Sequence, residues 1–517
     1  SPFSPPIEGT LSSKVKLFHH NQYTWGNGDV HIADLCYGKS RVGDVDLSSK
    51  MAYVGDSRKI YAMAGMNIDG KQVVDIKGFR NDSLPESPYD LKMQLINLPM
   101  RSIGAFIPTE VGNLSGALNG ELSLKGPIAK PDINGYVRFD TTQIVSPSFG
   151  ASFAFDTTRI PIEKGIAHFR NYGLIGTNGN PISINGHVGL SPSGKMPTDL
   201  ELTGRNVQIV SGKKTGRSEL YGRGFANIKA SVNGNLTEEL DVDAAIAILS
   251  GTNLTYIMQT DATTAVAETG NKDAVKFVQL NDTASVTPSD TVKRRTFGMR
   301  LNTLLTIQPN AIFTVNLSPD GKNKAQIDGD GTLNFTQSPF GDMSLSGRYV
   351  IREGFVRYSP PMLSEKMFTF DEGSSIVWSG DMLNPTLSIK AVDRVKANVT
   401  SDSQNSRLVP FDIALNISNT LQELNVNFDL STDGDVTIAN ELSSMTAEQR
   451  STQAMNLLLY NTYTGTSTKA TSNLSGNMAY SFLASSLNKW AASAITGVDV
   501  SFNINQYDKT VDGATST

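Results

Sequence analysis

Cysteine is almost absent: Cys36 is the only one in 517 residues. A single thiol cannot close an intramolecular disulfide or build a zinc site, so Cys36 reads as a small apolar side chain. Charge is also scarce. Lys, Arg, Asp and Glu make up 18% of the chain, against about 25% in an average soluble domain, and Ser, Thr, Asn and Gly fill the gap. A formal net charge of −5 gives no general attraction to phosphate backbones, so nucleic acid is not an expected partner. No apolar run approaches the roughly 18 residues of a membrane-spanning helix. Gly (45) and Pro (22) are too few for collagen or Pro/Gly-driven disorder.

Catalytic signatures are missing as well. There is no phosphate-binding G-x-x-x-x-G-K-[ST], no H-E-x-x-H, no G-x-S-x-G and no C-x-x-C. The five histidines, His19, His20, His31, His168 and His187, complete no metal-ligand spacing. Asp320, Asp328 and Asp330 lack the Glu and the spacing of a calcium loop, and Asp328-Gly329-Asp330-Gly331 reads as a turn. Neither enzymatic activity nor a cofactor nor a metal is expected.

What is present is alternation. Apolar and polar residues follow each other with period two, the mark of strands with one covered face. Leu424, Val426, Phe428 and Leu430 oppose Asn425, Asn427 and Asp429. Leu387, Ile389 and Ala391 oppose Thr386, Ser388 and Lys390, and Ile413, Leu415 and Ile417 form a third such series. Stretches 182–186 and 198–204 repeat the pattern. Gly, Asn, Asp and Pro punctuate these runs as hairpins require. Helical patterning is confined to the C-terminal end. Thr446-Ala447-Glu448-Gln449 is a capping box opening a helix over 446–460. A second amphipathic helix is expected over 476–496, its stripe Leu483, Leu487 and Trp490 packing on or plugging the sheet end, followed by a strand at 498–505.

Glycines recur in register. Gly126, Gly234 and Gly341 are spaced by 108 and 107 residues, and Phe153-Ala154-Phe155-Asp156 is echoed by Phe368-Thr369-Phe370-Asp371. Stacked modules of this kind make elongated objects. The expected fold is therefore all-β: an elongated, curled β-sheet groove, taco- or solenoid-like, of repeated modules, with two short amphipathic helices near the C-terminus. The expected divisions are an irregular β segment at 1–110, groove modules at 111–215, 216–325 and 326–435, and helices plus a terminal strand at 436–517.

The string Gly347-Arg348-Tyr349-Val350-Ile351-Arg352-Glu353-Gly354-Phe355-Val356-Arg357-Tyr358 is followed by Phe368-Thr369-Phe370, then Ser375 to Gly380, then Asn384-Pro385-Thr386-Leu387-Ser388-Ile389-Lys390-Ala391. With the helix near 445–465 and Thr496-Gly497-Val498-Asp499-Val500, this succession resembles the C-terminal region of the TamB family, in a Bacteroidota-type version. The resemblance covers about 326–505; upstream, only the loose Gly-rich repeat style of the wider AsmA-like group is shared.

The resemblance implies a periplasmic protein of a Gram-negative bacterium. It would be anchored in the inner membrane by an N-terminal helix that this chain lacks, with its C-terminal end at an outer-membrane barrel of TamA or BamA type. The chain runs on past Gln506-Tyr507 without a clear barrel strand, which leaves open whether the docking strand is included. The first functional expectation is a conduit of the bridge-like lipid transfer group, with phospholipid acyl chains in a hydrophobic groove. Its candidate lining is Leu345, Leu387, Ile389, Ile413, Leu415, Val426 and Phe428. The alternatives are a scaffold offering strand edges to nascent outer-membrane proteins, and a plain structural or adhesive solenoid whose apolar faces are dry core.

Overall fold

The computed structural model describes residues 7–465, apart from 258–297 and short stretches at 22, 39, 55–57, 82, 84–88, 106–111, 128–130, 148, 191–193, 215–219, 317–320, 360–364, 401–405 and 424. Alternation becomes strand almost throughout, and the protein is all-β. The first six strands are β1 Ile7–His20, β2 Tyr23–Tyr37, β3 Ser40–Val54, β4 Lys59–Ile68, β5 Lys71–Asn81 and β6 Tyr89–Pro99. A short helix, α1 Met100–Gly104, separates them from β7 Asn113–Gly126 and β8 Asp132–Val145. Then come β9 Ser152–Phe155, β10 Ile160–Glu163, β11 Ile166–Gly176, β12 Pro181–Gly189, β13 Pro197–Gly212, β14 Leu220–Asn235 and β15 Glu239–Ile248. The next are β16 Asn253–Ile257, β17 Gly298–Ile307, β18 Ile312–Asn316, β19 Lys324–Gln337 and β20 Met343–Tyr358. The last are β21 Lys366–Phe370, β22 Ser375–Gly380, β23 Thr386–Thr400, β24 Ser406–Thr420 and β25 Asn425–Ser431, then helices α2 Val436–Ser444 and α3 Ala447–Tyr460.

The chain divides into two compact units: Ser1–Thr252 with Arg295–Leu305 and Phe335–Asp342, and Asn253–Arg294 with Thr306–Asn334 and Met343–Thr517. In the first, β1 to β8 pair antiparallel in chain order. β8 then meets two short strands placed end to end, β9 on its C-terminal part and β10 on its N-terminal part. Both pair with β11 on their other side, and β11 to β15 continue the ladder. The second unit contains the same device: β21 and β22 lie end to end between β20 and β23, and β24 and β25 follow. A parallel pair, β16 with β18, makes this second sheet mixed.

This shared device explains the echo in the sequence. Phe153-Ala154-Phe155 and Phe368-Thr369-Phe370 both form the first of the two short strands. The Asp after each donates its backbone N–H to the long strand beyond, Asp156 to the Gly173 carbonyl at 2.9 Å and Asp371 to that of Lys390 at 2.8 Å.

Each sheet is concave. In the first unit α1 packs against both β3 and β7, and Ser102 Oγ donates to the Val42 carbonyl at 2.6 Å. Three strands lie between β3 and β7, which a flat sheet would hold about 19 Å apart. In the second, the rings of Phe368 on β21 and Phe428 on β25 are 6.5 Å apart although β23 and β24 intervene. A flat sheet would separate those strands by about 14 Å.

Bulges contribute to the bend in the first unit. At Asn97, Asn171 and Asn206 the strand carries one extra residue, and each Asn has positive φ (46°, 51° and 49°). Its N–H donates to an Asn side chain on the next strand: Asn119 Oδ1 at 2.8 Å, Asn185 Oδ1 at 2.8 Å and Asn227 Oδ1 at 2.9 Å. Asn tolerates the left-handed region better than other chiral residues, which fits its use at all three bends. Asp34 in β2 (φ 48°) repeats the arrangement with Asp44 Oδ1 at 2.8 Å. Such insertions disrupt the two-residue period, so the first 110 residues read as irregular while holding six long strands.

Several glycines sit inside strands and not at turns. Gly135 and Gly347 (φ +142° and +132°) sit inside strands, where a Cβ would collide with the Glu121 and Thr332 carbonyl oxygens respectively. Asp328-Gly329-Asp330-Gly331 is no turn but the interior of β19; a Cβ on Gly329 would strike the Tyr349 ring and the Val350 carbonyl oxygen. The glycines there make room for a close neighbour instead of reversing the chain.

The capping box forms as the spacing predicts: Gln449 N–H donates to Thr446 Oγ1, and Thr446 N–H donates to Gln449 Oε1. α3 stops at Asn461, whose φ is 53°. α2, which the alternation did not predict, starts at Asp435, whose carboxylate accepts from Thr437 and Ile438 N–H. The helix expected over 476–496, with Leu483, Leu487 and Trp490, and the strand at 498–505 lie outside the described residues.

Candidate functional site: an apolar concave face

Antiparallel partners point to the same side of a sheet, so register reveals which residues share a face. In the first unit one cross-strand row reads Val30, Leu47, Met66, Val74, Leu95, Gly120, Val137 and Ile160, from β2 to β10. Further along, Tyr172, Ile184, Leu202, Ala230 and Ala244 form a row from β11 to β15. The opposite side of the first row reads Asp29, Ser48, Gly65, Asp75, Gln94, Glu121 and Tyr136. One side of the sheet is apolar and the other mostly polar, over thirteen strand positions or about 60 Å at ordinary strand spacing.

The apolar side is half-buried at Met66, Val74, Leu95, Val137, Ile184 and Leu202. Met66 and Val74 pack against one buried cluster and Val137 and Ile184 against another, whereas Leu95 and Leu202 belong to neither. Two places are closed. Val42, Val45, Ile68, Val73 and Ala105 pack together beside α1. Ile133, Ile160, Ile162, Ala167 and Tyr172 form a second cluster in which Phe139 and Tyr172 come to 6.3 Å.

All seven candidate lining residues fall on one face of the second unit. Phe428 pairs with Leu415 and Val426 with Ile417; Ile417 pairs with Ile389, and Leu387 with Ile376. Ile413 and Leu345 belong to the same face. Their exposure differs. Leu345, Ile389 and Phe428 are half-buried, whereas Leu387, Ile413, Leu415 and Val426 are buried, Ile413 completely. Closure comes from the curl and from the helices: α3 packs on β25 and β24, and Phe411, next to Ile413 on this face, stacks on Tyr463 at 5.0 Å. The most open apolar wall is therefore in the first unit, where no candidate had been named.

One pair of charges interrupts the second unit's face. Asp393 lies opposite Ile413, and Lys366 lies two residues before Phe368 on the same side. Burial pushes the Asp393 carboxyl above its usual range, and the Lys366 charge pulls it partly back. The signal was visible in the series Leu387, Ile389, Ala391, Asp393, Val395, where one acid takes an apolar place. Among the described residues no three His, Cys, Asp or Glu side chains are placed to hold a metal ion.

The TamB C-terminal domain family profile matches residues 171–517, about two thirds of the chain. The chain belongs to the TamB family. No curated protein matches it. The TamB match opens in β11 and includes the second unit's whole apolar face, while β1 to β10 carry the same kind of face upstream of it. Membership places the protein in the translocation and assembly module of the bacterial envelope. No helix among the described residues is long and apolar enough to cross a membrane.

Proposed function

We propose that the protein is a non-enzymatic conduit whose concave face carries phospholipid acyl chains between the inner and outer membranes, working with an outer-membrane barrel of TamA or BamA type. The supporting observation is the first unit's apolar face: apolar on one side for thirteen strand positions, half-buried, and backed by a mostly polar outer side. Each methylene moved from water onto such a face gains about 0.8 kcal/mol. A chain can slide along the two cross-strand rows because Tyr172 alone among their side chains carries a polar group, and its hydroxyl already donates to the Asp156 carbonyl. The protein would work in the periplasm, with the full-length molecule anchored in the inner membrane. The test is lipid extraction from the purified protein followed by mass spectrometry. Co-purified phospholipid supports the reading; protein that neither retains nor takes up phospholipid from vesicles contradicts it.

A second reading, a scaffold for nascent outer-membrane strands, draws on β1. Among the described residues this strand bonds only β2 and is exposed at every position, the form of edge that accepts an added strand. Capture of unfolded barrel segments without bound lipid would favour it over the conduit.

A further inference from the structure

The outer, mostly polar side of the first unit has one exception. At one end of the strands a cross-strand row reads Phe18, Trp25, Ala52, Tyr61 and Phe79, from β1 to β5. Phe18 stacks on Trp25 with centroids 5.6 Å apart, and Tyr61 meets Phe79 at 6.0 Å. Stacking does not hide them: Phe18 and Trp25 are 45% exposed and Tyr61 46%. The row two residues further in reads Lys16, Asn27, Lys50, Met63, Lys77 and Lys92, and its four lysines are exposed. Lys77 pairs with Asp75 at 2.6 Å; Lys59 Nζ sits 4.6 Å above the Phe79 ring. On the concave side of the same strand ends, Leu17, Met51 and Tyr53 are also exposed. This rim is thus apolar on both sides, with a line of ammonium groups about 7 Å behind the rings.

We infer that this rim is a bilayer-contact edge, which seats Phe18, Trp25 and Tyr61 at the interface of an anionic membrane while Lys16, Lys50, Lys77 and Lys92 meet lipid phosphates. Aromatic rings favour the boundary between hydrocarbon and headgroups because one part of each is apolar and another polar. Lysines beside them gain from an anionic surface and hold their stems along apolar material. The spacing of the two rows matches that order of depth. The aromatic row spans five neighbouring strands, about 20 Å of one rim. A soluble partner would need complementary acids opposite the lysine row, whereas a membrane supplies them without a specific register.

Flotation of the whole chain with vesicles tests the assignment. One set is pure phosphatidylcholine, and the other contains about one third phosphatidylglycerol. The wild-type protein should float with the anionic vesicles and be released by high salt. The Lys16→Gln, Lys50→Gln, Lys92→Gln variant should bind them on the order of a hundredfold more weakly. The Trp25→Ser, Tyr61→Ser variant should likewise lose binding to the anionic vesicles. All these side chains are exposed, so far-ultraviolet circular dichroism should be unchanged and serves as the folding control. Absence of wild-type flotation, or equal flotation of wild type and both variants, overturns the assignment. A concentration-dependent dimer that Trp25→Ser abolishes would also overturn it, by assigning the rim to a second copy.

Discussion

The apolar face of the first unit is half-buried across most of its strands, whereas that of the second is buried at Leu387, Phe411, Ile413, Leu415, Val426 and Leu430. Both arise from the same two-residue alternation and share the split-strand device. The difference lies in what lies over each face. In the second unit the curl brings β21 and β25 together through Phe368 and Phe428, and α3 with Tyr463 closes over Phe411. In the first, the small helix α1 and the Ile160 cluster close only local stretches. Alternation decides which side is apolar; curvature and helical cover decide whether that side becomes core.

Substitution should separate the two faces sharply. Phe411→Ala, at a fully buried and stacked ring, is expected to cost about 3–5 kcal/mol, and Ile413→Ala about 2–5 kcal/mol, read as loss of urea stability. Truncating half-exposed Leu95 or Leu202 to Ala should cost well under half as much, because water already reaches those positions. Equal costs would mean that the first unit's face is covered after all. Thr446→Ala removes half of the capping box and should cost about 1 kcal/mol, felt in the second unit through the seat of α3 on β25. The smallest effect concerns charge. Burial raises the Asp393 carboxyl above its unfolded value, so its ionised form is disfavoured by folding and the penalty fades as pH falls through the raised folded value. Asp393→Asn should therefore stabilise the protein slightly at neutral pH, with the gap to wild type closing as pH falls toward 4. A gap independent of pH would show that the carboxylate is not desolvated.

Much of this was legible in the residues. The strand faces around Leu387 to Phe428, the capping box at Thr446 and the repeated Phe-x-Phe-Asp strands follow from spacing alone, because side-chain period and cap chemistry are local. The bulges at Asn97, Asn171 and Asn206 were not, since an extra residue in a strand looks like broken alternation unless its partner strand is known. Asp328 to Gly331 misled for a related reason: close approach of the Tyr349 ring is a tertiary demand, and it uses the same glycines as a turn. The candidate lining was drawn from the most regular strands. Those proved to be the best covered, because strict alternation also suits a closed core; the open wall lies in strands whose bulges hid it.

Photo-crosslinking is the most direct test of the conduit. Probes placed at Leu95 and Leu202, on the concave face, should capture phospholipid in cells, and probes at Gln94 and Glu201, one residue away on the polar side, should not. Equal labelling of both sides, or labelling of neither, would contradict the claim that acyl chains travel over this face.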